Sequence, residues 1–468
     1  MNDAGPARKL TLLDATLLVM GGIIGVGIFF NPHTIAARVP VPWLYLALWV
    51  CGGVVAIAAG FTFAELGSSF PRAGGWFVYL RAAYGRPLAF VFAWVVLTVQ
   101  STGAIASIAK FCASRVHLLA PGLVGETGSP SETIAAALLI VAVTVVALSG
   151  VKRAALVQNA CMLTKLLVIA ALVLGGLLFV GRADPAPVAA PAAAARVLTP
   201  GGLVLALLPL FYTLGGWQLV GYIAPEMKDP VRNLPRAILL GVAGVVAVYL
   251  CVNASYLAVL GIDGLIADKG FAQSLAERAF GPFGAKLLAA GMCVSAFGIC
   301  AVNIITTPWV YVAMAKEGLF FESVGALSPR TAVPQRALLL QGGITCVYLL
   351  FTLDFLVDSV VFVEWMFHLL AALGLLLLRV RQPDLPRPYR SPLYPLAPVL
   401  YLAAACVVVG GNLLQPEGHY VLRADGSRLE YLGIPIELRA LGLTIVIAGA
   451  LAYWPWRWLI ARARASRP

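Results

Sequence analysis

Glycine interrupts two apolar runs of this sequence near their centres. The first interruption is Gly21-Gly22-Ile23-Ile24-Gly25-Val26-Gly27, inside 12–37, and the second is Thr213-Leu214-Gly215-Gly216-Trp217, inside 203–223. In lipid an unpaired backbone amide or carbonyl is costly, so backbone leaves the helical path only where it lines a cavity. Paired interruptions in two halves of a chain point to a ligand site at the level of the breaks. Glycine lets the backbone turn away, and the next half-helix then presents unpaired N–H groups and a positive dipole end, which suit a carboxylate. At the second break, carbonyls near Tyr212 and Thr213 are left to accept from an ammonium. Together the two breaks would hold the zwitterionic end of an α-amino acid. Close helix packing is the structural alternative for such glycines. Gly22-x-x-Gly25-x-Gly27 is not a dinucleotide fingerprint, because its spacing is reversed and no strand precedes it.

Lys165 is the most anomalous charge. It lies about 12 residues into an apolar run, roughly 18 Å from the nearer membrane face at 1.5 Å per residue, too deep to snorkel, and an intramembrane charge is a functional candidate by default. Its ammonium could stand where a sodium ion would otherwise sit, donating to carbonyls of the first break and to Thr306 or Thr307. Burial would also let it cycle a proton; a plain tie between helices is the alternative. Glu65 and Glu226 stand at helix ends and read as gate or loop ion-pair partners. Glu364 and His368, at i and i+4, either line a polar path or form a packed interhelical hydrogen bond. Tyr212 and Trp217 read either as aromatic gates over the pocket or as core. Lys110 reads as a snorkelling residue. No Ser-His-Asp set, phosphate loop or metal-ligand cluster stands in the polar loops, so no cofactor, metal or catalytic residue is expected.

The elements that position these residues follow from composition. Of 468 residues 61% are hydrophobic and 12% charged, and mean hydropathy is +0.91. Soluble domains carry about 25% charge, and a spanning helix needs about 20 apolar residues. About twelve runs qualify on that scale, near 12–37, 43–66, 87–114, 132–150, 153–180, 202–224, 235–260, 283–314, 337–353, 357–378, 393–413 and 438–460. The first run is too long for a cleaved signal and lacks a small-residue cleavage site. With this threading, about 21 of the 33 Lys and Arg gather on the side holding both termini and about ten on the other, which places both termini in the cytoplasm. That asymmetry accounts for the net charge of +12. The basic tail Arg462–Arg467 is an anchor near anionic lipid rather than a nucleic-acid site. All 8 cysteines fall in expected helices, with no Cys-x-x-Cys pair, so neither a disulfide framework nor a zinc site is supported.

Between the spans, 67–87 is short and basic, with an amphipathic stretch 75–83 that reads as a re-entrant or surface helix. Residues 182–200 form a Pro- and Ala-rich external linker, and 262–281 should make short external helices. The run 379–395 carries too many prolines for regular helix. An Asp425-Gly426 pair flanked by partly alternating residues signals a hairpin in an external loop.

These residues resemble the amino acid–polyamine–organocation superfamily, and most of all its L-type amino acid transporter-like permeases. Gly22-Ile-Ile-Gly25-Val26-Gly27-Ile28-Phe29 is similar to the family's first-helix motif, with Val26 where serine is usual. Gly215-Gly216-Trp217, followed by Glu226-Met227-Lys-Asp-Pro230-Val-Arg232-Asn233-Leu234-Pro235-Arg-Ala-Ile238, resembles the sixth-helix signature. Pro308-Trp309-Val-Tyr311-Val-Ala313-Met314-Ala-Lys-Glu-Gly318-Leu319 resembles the end of the eighth helix, with tryptophan where arginine is common, and 379–395 resembles the Pro-rich linker after the tenth. The resemblance implies an all-α integral membrane protein of about twelve helices, the count reached above from run lengths. It would be a five-plus-five inverted repeat of the leucine-transporter type with discontinuous first and sixth helices. Repeats would occupy 1–180 and 200–380, with two further helices in 393–468 and an external loop at 414–437.

By the same resemblance Ile24, Gly25, Val26 and Gly27 would bind the substrate carboxylate and Tyr212, Thr213 and Leu214 the amine, with Gly215 beside them. Lys165 matches the family's fifth-helix lysine, which implies sodium-independent transport. Val26 in place of serine removes a hydroxyl from the carboxylate site and leaves backbone amides. The loop 117–131 lacks the cysteine by which animal relatives join a glycoprotein, so a stand-alone carrier in a bacterial inner membrane is expected, with no obligatory glycoprotein subunit. No acidic side chain stands in sequence beside either break, and Gly215 and Gly216 leave room for an apolar side chain. The expectation is therefore a carrier of neutral L-amino acids, working by exchange or proton symport. A cationic amino acid or polyamine carrier is the rival within the class, and a non-transporting nutrient sensor or membrane enzyme the rival outside it. A sensor would usually carry a soluble output domain, and an enzyme would need clustered His, Asp or Glu at one depth; neither is visible.

Overall fold

The computed structural model describes residues 9–179, 198–351, 353–413, 430–431, 434–435 and 438–465, and it is helical almost throughout. Eight of the described helices are long and apolar enough to cross a bilayer: Pro42–Ser69, Arg86–Leu119, Pro130–Leu148, Val151–Leu178, Pro230–Ala267, Pro282–Lys316, Val363–Arg381 and Gly442–Arg462. The runs expected from 12, 202, 337 and 393 form shorter helices instead: Leu12–Ile23, Pro200–Leu214, Gln335–Tyr348 and Leu396–Gly411. Glycine stops the first two, and proline directly precedes the start of the others, at Pro334 and Pro395. Among the described residues, eight of the expected runs thus reach spanning length as continuous helices, and these four form shorter ones.

The surface is inverted relative to a soluble protein. Leu138, Leu167 and Leu451 are 64%, 71% and 72% exposed, whereas Thr102, Gln158, Asn253 and Gln341 are buried. An apolar exterior of this extent is stable only against lipid. Arg86–Leu119 and Pro282–Lys316 are the most enclosed helices and pack on each other at the centre. Pro42–Ser69 packs on Pro230–Ala267, and Val151–Phe179 packs against both Leu12–Ile23 and Pro282–Thr306. The last helix lies at the periphery, where Arg457 and Arg462 stack over the exposed rings of Trp454 and Trp458 at 5.9 and 5.2 Å. Aromatic rings paired with cations in this way anchor a helix end at the lipid–water boundary.

One end of the bundle concentrates ion pairs. Glu65, wholly buried near the end of Pro42–Ser69, accepts from Arg379 Nε and Nη2 at 2.7 and 2.8 Å and from the Ser391 amide at 2.8 Å, with Arg387 Nε 3.5 Å away. The Pro-rich stretch after Arg381 is thereby tied down without regular helix. Arg81 pairs with Glu317, and Asp14 accepts from Lys152 Nζ and Asn159 Nδ2, each at 2.8 Å. Here too Lys9 and Leu10 are strapped to the segment after the second break. The amides of Lys9 and Leu10 donate to Glu226 O at 2.7 and 2.9 Å, and the Lys228 amide donates to Leu10 O at 2.9 Å.

The amphipathic stretch expected at 75–83 is a helix, Trp76–Tyr84, but Trp76 to Leu80 are buried, so it is an inserted helix and not a surface one. The stretch 262–281 gives the short helix Phe271–Phe280 after a bend at Gly261, where the backbone has a φ of 66°. The Pro- and Ala-rich linker and the Asp425-Gly426 hairpin lie outside the described residues. A two-residue antiparallel pair, Glu430–Tyr431 with Ile434–Pro435, follows the latter.

Candidate functional site

The two breaks meet. Leu12–Ile23 ends at the first glycine cluster, a single turn of 3-10 helix, Gly27–Phe29, follows, and Asn31–Arg38 resumes the path. Pro200–Leu214 ends at Gly215, and the chain restarts only as the short helix Leu219–Tyr222. Gly216, at a φ of 118°, faces the first break so closely that a Cβ there would run into the Gly22 carbonyl oxygen and lie 3.1 Å from the Ile23 amide nitrogen. Only glycine combines that dihedral with that approach.

The backbone at each break is left with opposite polarity. At the first, the Ile24 amide bonds back to Met20 O and the Gly25 amide to Ile23 O, but no backbone carbonyl among the described residues takes the amides of Val26, Gly27 and Ile28. Three successive free N–H groups are an anion cradle. At the second, the Gly215 amide turns to Tyr212 O at 3.4 Å, which leaves the Phe211 carbonyl without its helical donor. Pro209 has no N–H for the Leu205 carbonyl, and Arg38 Nη1 bonds to that oxygen instead. Buried Asn31 joins the two half-helices, donating to Thr213 Oγ1 at 2.7 Å and Pro209 O at 3.1 Å.

A cavity opens onto both breaks. Gly25, Val26 and Gly27 line it from one side, and Tyr212, Thr213 and Gly215 from the other. Ile24 and Leu214 are buried beside it and do not line it; Ile24 contributes its carbonyl elsewhere. Trp217 also stays out of the cavity. It is fully buried, packed on His368 and Tyr401 at 5.6 and 6.4 Å, so the expected gate is core, whereas Tyr212 does face the cavity.

Lys165 reaches the first break from Val151–Phe179. Its Nζ donates to Ile24 O at 2.7 Å and approaches Gly21 O at 3.5 Å. Gly298 makes the room, since a Cβ there would stand 3.1 Å from Lys165 Cε and 3.3 Å from Nζ. Thr306 and Thr307 are not brought to this lysine. The Thr306 hydroxyl donates to Val302 O in its own helix, while Thr307 lines the cavity and accepts from Ser101 Oγ at 3.1 Å. The carbonyls of the break satisfy the ammonium without them. Two further hydroxyls brace the same turn: Tyr249 donates to Ile23 O at 3.0 Å and Ser295 to Gly25 O at 3.3 Å.

Glu65 forms the expected ion pair, but Glu226 does not: both its carboxylate oxygens are buried without a hydrogen-bond partner, and burial pushes the group up to about 7 despite Lys9 nearby. Glu364 and His368 both face the cavity. Gln218 Nε2 donates to Glu364 Oε1 at 2.8 Å, and His368 Nε2 lies 3.8 Å from the same oxygen. An acidic side chain therefore stands beside the second break, contrary to the sequence-based expectation. Gln218 and Glu364 are 146 positions apart in the sequence, so adjacency could not be read from spacing. Asn31 and Asp14 were missed for the same reason: single polar residues near helix starts look like caps until a distant partner arrives. Lys110 does not extend outward alone but donates to Phe351 O at 2.6 Å.

Residues 10–419 match the family model described as amino acid permease. The chain is similar to the serine/threonine exchanger SteT of Bacillus subtilis (strain 168), 29% identical over 416 residues, covering 88% of this chain and 92% of the relative. It is also similar to the human b(0,+)-type amino acid transporter 1, at 28% over 419 residues (88% and 84% covered), and to the human large neutral amino acids transporter small subunit 2, at 28% over 406 residues (84% and 74% covered). With one family model spanning most of its length and both broken helices falling inside the match, the chain belongs to the amino acid permease family.

Proposed function

We propose that this chain is a sodium-independent amino acid exchanger of the membrane that carries the α-amino acid zwitterion between its two broken helices. The free amides of Val26, Gly27 and Ile28 would take the carboxylate, and the carbonyls of the Phe211–Leu214 turn the ammonium. The observation that carries this reading is the contact of two helix breaks whose free backbone groups differ in sign and share one cavity. Lys165 supplies a fixed positive charge to the carbonyls of the first break, the position a sodium ion would otherwise fill. Exchange is favoured over proton symport by the likeness to a serine/threonine exchanger.

The same reading takes 1–180 and 200–380 as inverted repeats, with both termini in the cytoplasm of a bacterial cell. The charge asymmetry of the loops supports that orientation. The relative named a small subunit has a partner; here the loop 117–131 has no cysteine for such a link, and the carrier is read as self-sufficient. The test is counterflow in proteoliposomes loaded with an unlabelled amino acid mixture. Labelled substrate should enter only when amino acid is inside, equally in sodium and choline buffers. Uptake into empty vesicles at the same rate, or a strict requirement for sodium, would overturn the proposal.

A further inference from the structure

We infer that Glu364 is the side-chain anchor of the cavity, and that the carrier selects amino acids bearing a second cationic group. The inference rests on the exchanger reading above and names its substrate class. Glu364 lines the cavity that holds both breaks, and its side chain is 20% exposed, open enough to meet a ligand. One oxygen is occupied by the Gln218 amide at 2.8 Å, which orients the carboxylate. The cavity lining contains no lysine or arginine, and Lys165 is committed to the first break. The remaining candidate counter-charge is His368, 3.8 Å away. Its Nδ1 is hydrogen-bonded with the Tyr401 hydroxyl, and its ring is closed in by Trp76 and Trp365 at 4.6 and 4.9 Å.

A carboxylate drawn out of water is costly until a cation joins it. A neutral substrate would close over Glu364 and leave that cost standing. A lysine- or ornithine-like substrate would relieve it, because its ammonium forms a charge-assisted hydrogen bond with the free carboxylate oxygen. Aromatic faces flank the path: Phe211 and Trp365 both line the cavity and pack with centroids 5.1 Å apart, giving a surface for methylenes and for a cation. The α-carboxylate and α-ammonium remain with the breaks, so Glu364 is an additional contact and does not replace either.

Lysine and norleucine separate the idea cleanly, since they differ in the terminal ammonium. Full-length protein in proteoliposomes exchanging a labelled amino acid is challenged with each as competitor. The wild type should be inhibited by lysine at concentrations well below those needed for norleucine. Glu364→Gln should lower the lysine-over-norleucine preference about thirtyfold or more, the effect of removing one partner from a buried charge pair. Glu364→Asp, which keeps the charge, should retain most of it. If the wild type itself exchanges amino acids but favours norleucine, the anchor is wrong and the exchanger reading stands. If no amino acid is exchanged, both fall. If a proton gradient drives norleucine uptake and Glu364→Gln abolishes that drive, the carboxylate carries protons and the inference is overturned.

Discussion

Replacing Lys165 by methionine keeps most of the stem and deletes the ammonium. The lysine is 2% exposed, and its Nζ gives a 2.7 Å hydrogen bond to Ile24 O, one residue ahead of the turn that carries the free amides at Val26–Ile28. A hydrogen bond from a charged group contributes about 1.5–3 kcal/mol. Losing it frees the turn that orients those amides, and at about 1.4 kcal/mol per factor of ten the amino acid affinity should fall roughly ten- to a hundredfold. The assay is equilibrium binding of a labelled substrate to purified protein, with the melting temperature measured alongside. Sodium should recover part of the affinity in Lys165→Met, because the bared carbonyls of Ile24 and Gly21 suit a small cation, and choline should not. A variant that melts like the wild type and binds within about twofold of it would refute the assignment of the first break to Lys165.

Three further outcomes follow from other parts of the fold. Gly216→Ala forces a Cβ against the Gly22 carbonyl at a dihedral that costs about 1–3 kcal/mol for L-residues, so exchange should drop by at least about tenfold; normal exchange by this variant would mean the breaks need not touch. Glu65→Ala leaves Arg379 and Arg387 without their buried acceptor, a loss of about 3–5 kcal/mol, and should lower the melting temperature far more than Glu65→Leu with Arg379→Met; equal losses would count against a buried ion pair. Glu226, outside the spans, is held near 7 in the fold against an ordinary 4.5, so folding favours its protonated form and that advantage is lost as pH rises from about 4.5 through 7. The melting temperature of the wild type should fall more across pH 5–8 than that of Glu226→Gln, and parallel profiles would disprove the linkage.

What the sequence made legible was local. A glycine cluster inside an apolar run has few uses in lipid, and a lysine at mid-run has fewer, so both breaks and Lys165 stood out before any fold was known. The positions of helices followed for the same reason. What stayed hidden depends on which faces turn toward each other. Glu364 is one helical turn from His368 in the chain, but only packing of Val363–Arg381 beside the second break places it over Gln218. Thr306 and Thr307 are neighbours that point in different directions, one into its own helix and one into the cavity. Trp217 follows Gly216 directly, but the turn swings its ring to the side of His368. Glu226 reads as an ion-pair partner from its place at a helix end; in space the strap of Lys9 and Leu10 uses its backbone and leaves its carboxylate alone.

That strap has a mechanical consequence. Three backbone hydrogen bonds couple Lys9 and Leu10 to the stretch Glu226–Lys228, which continues from the second broken helix. Any excursion of 219–228 away from its neighbours must either carry the N-terminal segment along as cargo or peel it off one bond at a time. Lys9 and Leu10 thus act as a tether on that end of the carrier. A bulky fusion placed immediately before Lys9 would therefore change the reach of that movement without touching the cavity.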